Sequence, residues 1–201
     1  MNISLGSFSK YRWFYTSSGL LVVGGKNAVQ NDELLHKIKG FRETFIILHT
    51  SEPGSPFCII LESANKVSKL DTEEAAVFTG CFSKAWKQGK MSTKVDVFNS
   101  DQIHKNNDMK SGTWGVYGNV QRITVSLGLV LVKQKDILRA VPETTAERLE
   151  DKSFPKKIKI YPGNIEKEHM FAKLELEIDE SISKEKVLSA IPSGGFKIIT
   201  E

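Results

Sequence analysis

Two cysteines in 201 residues, Cys58 and Cys81, are too few for a disulfide framework, and they form no Cys-x-x-Cys pair of the kind that binds zinc or exchanges thiols. A reducing cytoplasm is the expected compartment. Long apolar runs are missing too: Gly19 to Gly25 and Phe45 to Leu48 fall far short of the ~20 residues that span a bilayer. No basic start followed by an apolar stretch and a small-residue cleavage site is present, so a soluble, unexported protein without a membrane partner is expected. Histidine is scarce, and His36, His49, His104 and His169 stand at none of the spacings that preassemble a metal site. No metal or other cofactor is expected. Cys58 and Cys81 sit in an apolar strand and on a helix face, where a small buried thiol is the ordinary outcome and a nucleophile the rare one.

Charge of one sign is also lacking, since 28 Lys and Arg against 24 Asp and Glu leave a net charge of +4. That total hides blocks: residues 1–42 carry +4, 43–82 carry −4, 83–110 carry +3, 111–150 carry +1, and 151–201 are neutral. Within the third block, Ser83 to Lys94 holds Lys84, Lys87, Lys90 and Lys94 with no acid, and Trp86 lies inside the run. A phosphate backbone with a stackable base would suit such a run; a solvated helix end would give the same spacing. With 40% hydrophobic and 26% charged residues the chain is that of a globular protein with a real core, and disorder throughout is excluded.

The pattern predicts a mixed α+β fold with a mainly antiparallel sheet, packed helices and a small C-terminal α/β appendage. Arg12 to Thr16 and Leu20 to Val23 are short strands around Ser17-Ser18-Gly19, which reads as a hairpin. Gly24-Gly25 then leads into a helix over Asn27 to Lys39, with Leu34, Leu35 and Ile38 on one face and Asn31 or Asp32 as cap. Phe45 to His49 and Phe57 to Leu61 are buried strands flanking a rigid loop that contains Pro53-Gly54-Ser55-Pro56. A helix is expected from Asp71 to about Gln88, then strands at Val95 to Phe98, Thr113 to Tyr117 and Arg122 to Val132. The expected division is a first domain over 1–142, a linker over 143–157 with a short helix around Ala146 to Leu149, and an appendage over 158–201. That appendage would hold a strand at 159–161, helices at 165–177 and 184–190, and a strand at 196–200.

Gly19 to Lys26 invites comparison with a P-loop, but Gly25 stands where that motif needs lysine and Asn27 follows Lys26, so a P-loop is rejected. Glycines ahead of a helix can still direct backbone N–H groups at an anion, with Lys26, Asn27 and Gln30 adding donors; an ordinary strand-to-helix turn is the alternative. His49 could present its imidazole beside Ser55, or be a satisfied polar group at a sheet edge. Trp86, Trp114 and Tyr117 would stack bases if exposed, although aromatics are more often buried.

The string Trp13 to Asp32, WFYTSSGLLVVGGKNAVQND, resembles the opening signature of the NFACT RNA-binding domain (NFACT-R), a strand hairpin leading into Gly-Gly-Lys/Arg-Asn and Gln-Asn-Asp. His49 with the Pro53-Gly54-Ser55-Pro56 loop, Glu74-Ala75-Ala76 with Ser83 and Ala85-Trp86, and Gly112-Thr113-Trp114 through Gly118 are similar to later motifs of that family, in the same order. Glu43-Thr44 and Asn119 depart from it where an Asp and a Lys or Arg are common. The resemblance covers residues 11–132 and lacks the further segments of the multidomain members, so a stand-alone version is expected. It implies a non-enzymatic RNA-binding protein, with rRNA or tRNA and the ribosome as partners in translation or ribosome-associated quality control. The implied RNA-binding residues are Gly24, Gly25, Lys26, Asn27, Gln30, Asn31, Asp32, His49, Ser55, Ser83, Lys84, Trp86, Lys87 and Lys90. Two other classes stay open: an RNA-processing or RNA-modifying enzyme using His49 with Asp32 as an acid/base pair, and a protein-binding adaptor using the acidic 43–82 stretch or the appendage.

Overall fold

The structure, a computed structural model, describes residues 8–149, 157–165, 169, 171, 174 and 183–200. Arg12–Tyr15 (β1) and Leu21–Gly24 (β2) form the expected antiparallel hairpin, with Trp13 opposite Val23. Gly19 closes its turn at φ +88, a conformation that favours glycine. The helix Ala28–Lys39 (α1) follows, capped by Asn27, whose extended backbone lets its side chain accept the Gln30 N–H. Asn31 and Asp32, expected as caps, lie one turn inside the helix and are free for other contacts.

Phe45–Thr50 (β3) and Cys58–Ser63 (β4) are the next hairpin. The helix Lys69–Cys81 (α2) starts at a Ser68/Asp71 capping box, a motif that satisfies two orphan N–H groups. It stops at Phe82, short of the expected Gln88. Ser83 has an extended backbone and takes the Ala85 N–H on its hydroxyl, which starts a separate one-turn helix, Lys84–Lys87 (α3). Ser92–Asn99 (β5), the short pair Ile103–His104 (β6) and Gly115–Val116 (β7), and Gln121–Ser126 (β8) come next. The long strand expected over Arg122 to Val132 is broken at Leu127-Gly128, so that β8 and Leu129–Gln134 (β9) enter different sheets.

Six strands make the main sheet in the order β1-β2-β4-β3-β5-β8, and every adjacent pair is antiparallel. The period-two alternation of strands decides its two faces. Trp13, Val23, Phe45, Ile47 and Ile59 pack with Leu34, Leu35 and Ile38 of α1. Phe14, Val22, Leu48, Ile60 and Val95 pack with Ala75, Phe78 and Cys81 of α2. The Phe14 and Phe78 rings stack at 4.6 Å across that second interface.

Ile137–Val141 (β10), Ile158–Pro162 (β11) and Phe196–Thr200 (β12) join β9 in a second antiparallel sheet, ordered β10-β9-β11-β12. Glu143–Arg148 (α4) lies in the segment expected as linker, and Lys184–Ala190 (α5) matches the expected second appendage helix. The helix expected over 165–177 and the middle of the expected linker fall outside the described residues. The second sheet crosses the expected division: Lys159 of β11 pairs with Val130 of β9, and the buried side chains on the α2 face of the main sheet form one continuous cluster with those of the second sheet. Among the described residues no helix is long and apolar enough to cross a membrane.

Candidate functional site

A concavity of about 570 Å³ opens at one end of the main sheet. The end of β2, the start of α1, the end of β3 with its 51–57 loop, α3, and the 111–114 segment converge there. Lys26, Asn27, His49, Lys84 and Lys87, from three separated segments, line one surface.

Four cations meet in this cleft. Arg12 enters from the start of β1, its Nη1 donating to Gly25 O at 2.8 Å and its guanidinium lying 5.3 Å from the Phe82 ring centre. Lys26 is exposed; partial burial lowers its pKa, and the neighbouring charges of Arg12 and Arg139 lower it further. The Lys84 N–H donates to Gly54 O at 2.9 Å. Its aliphatic stem runs so close over Gly54, which has φ +113, that a Cβ there would overlap it. Lys87 completes the set on α3. Among the described residues the single carboxylate lining the cleft, Asp96, is already balanced: Arg122 Nε and Ser51 Oγ each donate to its Oδ1 at 2.7 Å. The cleft is therefore net positive, although the whole chain is near neutral.

His49 stacks on Phe57 with ring centres 4.3 Å apart and places Nδ1 2.7 Å from Thr50 O. The carbonyl can only accept, so Nδ1 carries the proton and Nε2 is left as an acceptor. Burial lowers the His49 pKa and favours this neutral form. The acid/base pair with Asp32 is not formed. Burial alone would raise the Asp32 carboxyl, but the Gly112 N–H, Trp114 Nε1, Ser111 Oγ and Lys105 Nζ all donate to it and hold its pKa at about 2. Asp32 anchors the 111–114 wall and does not face His49.

Several other expected ligand residues build the cleft from behind. Gly24 is buried in the sheet, where a Cβ would stand 2.8 Å from Cys58 Sγ. Gly25 is needed because a Cβ would overlap Asn31 Oδ1, which accepts the Phe57 N–H. Gln30, expected as a phosphate donor, accepts the Lys26 N–H instead. Ser55 takes the Thr50 N–H and donates to Pro56 O, and Ser83 is spent on its helix cap and Gly80 O. Lys90 pairs with Glu52 at 3.3 Å. Trp86 corrects the expectation of a stacking platform: it is 0% exposed, and its Nε1 donates to Gly195 O at 3.1 Å. A ring with no free face has no base to meet. Trp114 is also buried, whereas Tyr117 is 56% exposed.

Arg12, Phe82 and the Asp96–Arg122 pair were missed by the sequence reading. Arg12 had a usable signal, a cation directly before the Trp13-Phe14 strand. Asp96 and Arg122 face each other only because β5 and β8 pair in that register.

Residues 10–118 match the family described as "NFACT protein RNA binding domain". The archaeal Rqc2 homolog aRqcH of Methanocaldococcus jannaschii is 28% identical over 203 aligned positions that take in 96% of this chain; the chain spans 29% of that relative's length. The solved C-terminal part of the fibronectin/fibrinogen-binding protein from Streptococcus suis is 24% identical, covering 59% of this chain and 45% of its own, with a TM-score of 0.49. The family match takes in more than half of the chain, and the protein belongs to the NFACT protein RNA binding domain family.

Proposed function

We propose that the cleft binds RNA, rRNA or tRNA, in translation or ribosome-associated quality control, and that it does so without chemically changing the RNA. The observation that carries this reading is the convergence of Arg12, Lys26, Lys84 and Lys87 on one cleft whose single lining carboxylate among the described residues is already neutralised. Cations so placed suit phosphates, and the start of α1 adds the positive end of a helix dipole at the same rim. The neutral His49 Nε2 would accept from a ribose 2′-hydroxyl, the group that distinguishes RNA from DNA. Family membership and the Rqc2 homolog among the relatives support the setting.

Binding of the full chain to tRNA and to rRNA fragments across a salt series tests this. Each neutralised phosphate contributes a slope of ~0.9 on duplex and ~0.7 on single strands, so several contacts should give a steep dependence, with the RNA recovered intact. Absent or salt-independent binding would overturn the reading, and cleavage or modification of the bound RNA would overturn its non-enzymatic part.

A further inference from the structure

A second, smaller concavity of about 90 Å³ shares Arg12, Lys26 and Phe82 with the cleft but is closed by different elements. Trp13 of β1, Arg139 of β10 and Ser189 of α5 complete it. Arg139 and α5 lie outside the residues matched by the family, so this wall is built by the later part of the chain. The volume corresponds to about three water molecules at ~30 Å³ each, the scale of one small oxyanion.

Its chemistry is one-signed. Among the described residues Arg12, Lys26 and Arg139 line it, no carboxylate does, and none of the three pairs with a carboxylate. The Arg139 guanidinium lies 4.0 Å from the Trp13 ring centre, and its buried Nε has no hydrogen-bond partner. The Trp13 indole Nε1, also buried, has none either. Burial lowers the pKa of Arg139 to about 10 and also lowers that of Arg12; no neighbouring acid opposes this at Arg139. A desolvated cation is unfavourable unless paired, and the charges of Arg12 and Arg139 act against that of Lys26. An anion relieves both effects, and a guanidinium fork matches the oxygens of a phosphate.

We propose that this concavity is a phosphate-binding site, with Arg139 as its central ligand and Arg12 and Lys26 completing the positive wall. A phosphate of an RNA crossing Lys26 and a free phosphate ion share this chemistry. The site stands whether or not the cleft binds RNA.

Titration of the ¹⁵N-labelled full chain with inorganic phosphate, matched in ionic strength by chloride, tests the site. The expected result is a saturable shift of the Arg139 Nε–H and Trp13 Nε1–H signals that chloride does not produce. The Trp13 Nε1–H shift should be lost in Arg139→Gln and weakened in Arg139→Lys. If the natural occupant is an RNA phosphate, tRNA displaces the ion and Arg139→Gln weakens tRNA binding several-fold. If it is free phosphate, ion and tRNA bind together and Arg139→Gln leaves tRNA affinity unchanged. Non-saturating shifts, equal shifts in chloride, or saturable shifts unaltered by Arg139→Gln would overturn the site. Should that variant not fold, the wild-type titration and Arg139→Lys still decide. Failure of tRNA binding with saturable phosphate binding would sink the cleft reading and leave this one standing.

Discussion

The Trp114 indole Nε1–H donates to Asp32 Oδ1 at 2.7 Å, tying the 111–114 segment to the second turn of α1. With Ser111, Gly112 and Lys105 donating to the same carboxylate, one acid holds an entire wall of the cleft. Its folded pKa of about 2 lies below the ~3.9 of an unfolded chain. Its contribution to stability is therefore complete above the unfolded value and disappears as pH falls through about 2. Asp32→Asn should destabilise the protein by about 1.5–3 kcal/mol at neutral pH, the range for hydrogen bonds to a charged group. In denaturant melts, the gap between wild type and variant should close between about pH 4 and pH 2.

Trp86 belongs to the core, so its substitution should act on folding and not directly on RNA. Trp86→Ala is expected to lower stability by about 3–5 kcal/mol. Trp86→Phe, which keeps most of the ring volume, should fold and keep its RNA affinity. Loss of affinity in a fully folded Trp86→Phe would contradict this placement.

Lys84 and Lys87 should act additively on phosphate contact. Replacing either by Ala should weaken binding to all RNA sequences alike and reduce the salt slope by about 0.7–0.9. Lys69→Ala, on α2 and outside the cleft, serves as the control and should change neither. Lys90→Ala should have a smaller effect than Lys84→Ala, because its charge already pairs with Glu52 at 3.3 Å.

Both cysteines should be silent in the native state. Cys58 is fully buried, and burial pushes its thiol up to about 12; burial raises Cys81 as well. Alkylation followed by mass spectrometry should show no reaction with the folded chain at pH 8 and labelling of both thiols in step with global unfolding. Fast modification of native Cys58 would show that the sheet opens locally.

The hairpin, α1, β3, β4 and the Pro53–Pro56 loop were legible because each depends on local signals: alternation, a glycine turn, helical spacing, paired prolines. The charge blocks were legible too, and both positive blocks of the first 110 residues contribute lysines to the cleft. The break between α2 and α3 was not, because an apolar face continues through Phe82 while a single serine cap at Ser83 interrupts the helix. The split of β8 from β9 was hidden for a similar reason: Leu127-Gly128 is apolar, and only pairing with distant strands reveals two sheets. Residue types were a better guide to place than to role. Gly25, Asn31, Asp32, Ser55 and Ser83 all lie in or directly behind the cleft, yet they hold its loops, since short polar side chains beside turns bond backbone first.

Ultraviolet crosslinking of bound tRNA to the intact protein, with the attached peptides mapped by mass spectrometry, tests the central claim most directly. The expected adducts fall on peptides carrying residues 26–27, 49–57, 84–87 and 111–117, and they diminish together in a Lys84→Ala, Lys87→Ala double variant. Adducts concentrated on the exposed start of α2 or on strand β8, with those four segments unmodified, would contradict the assignment of this cleft as the RNA-binding face.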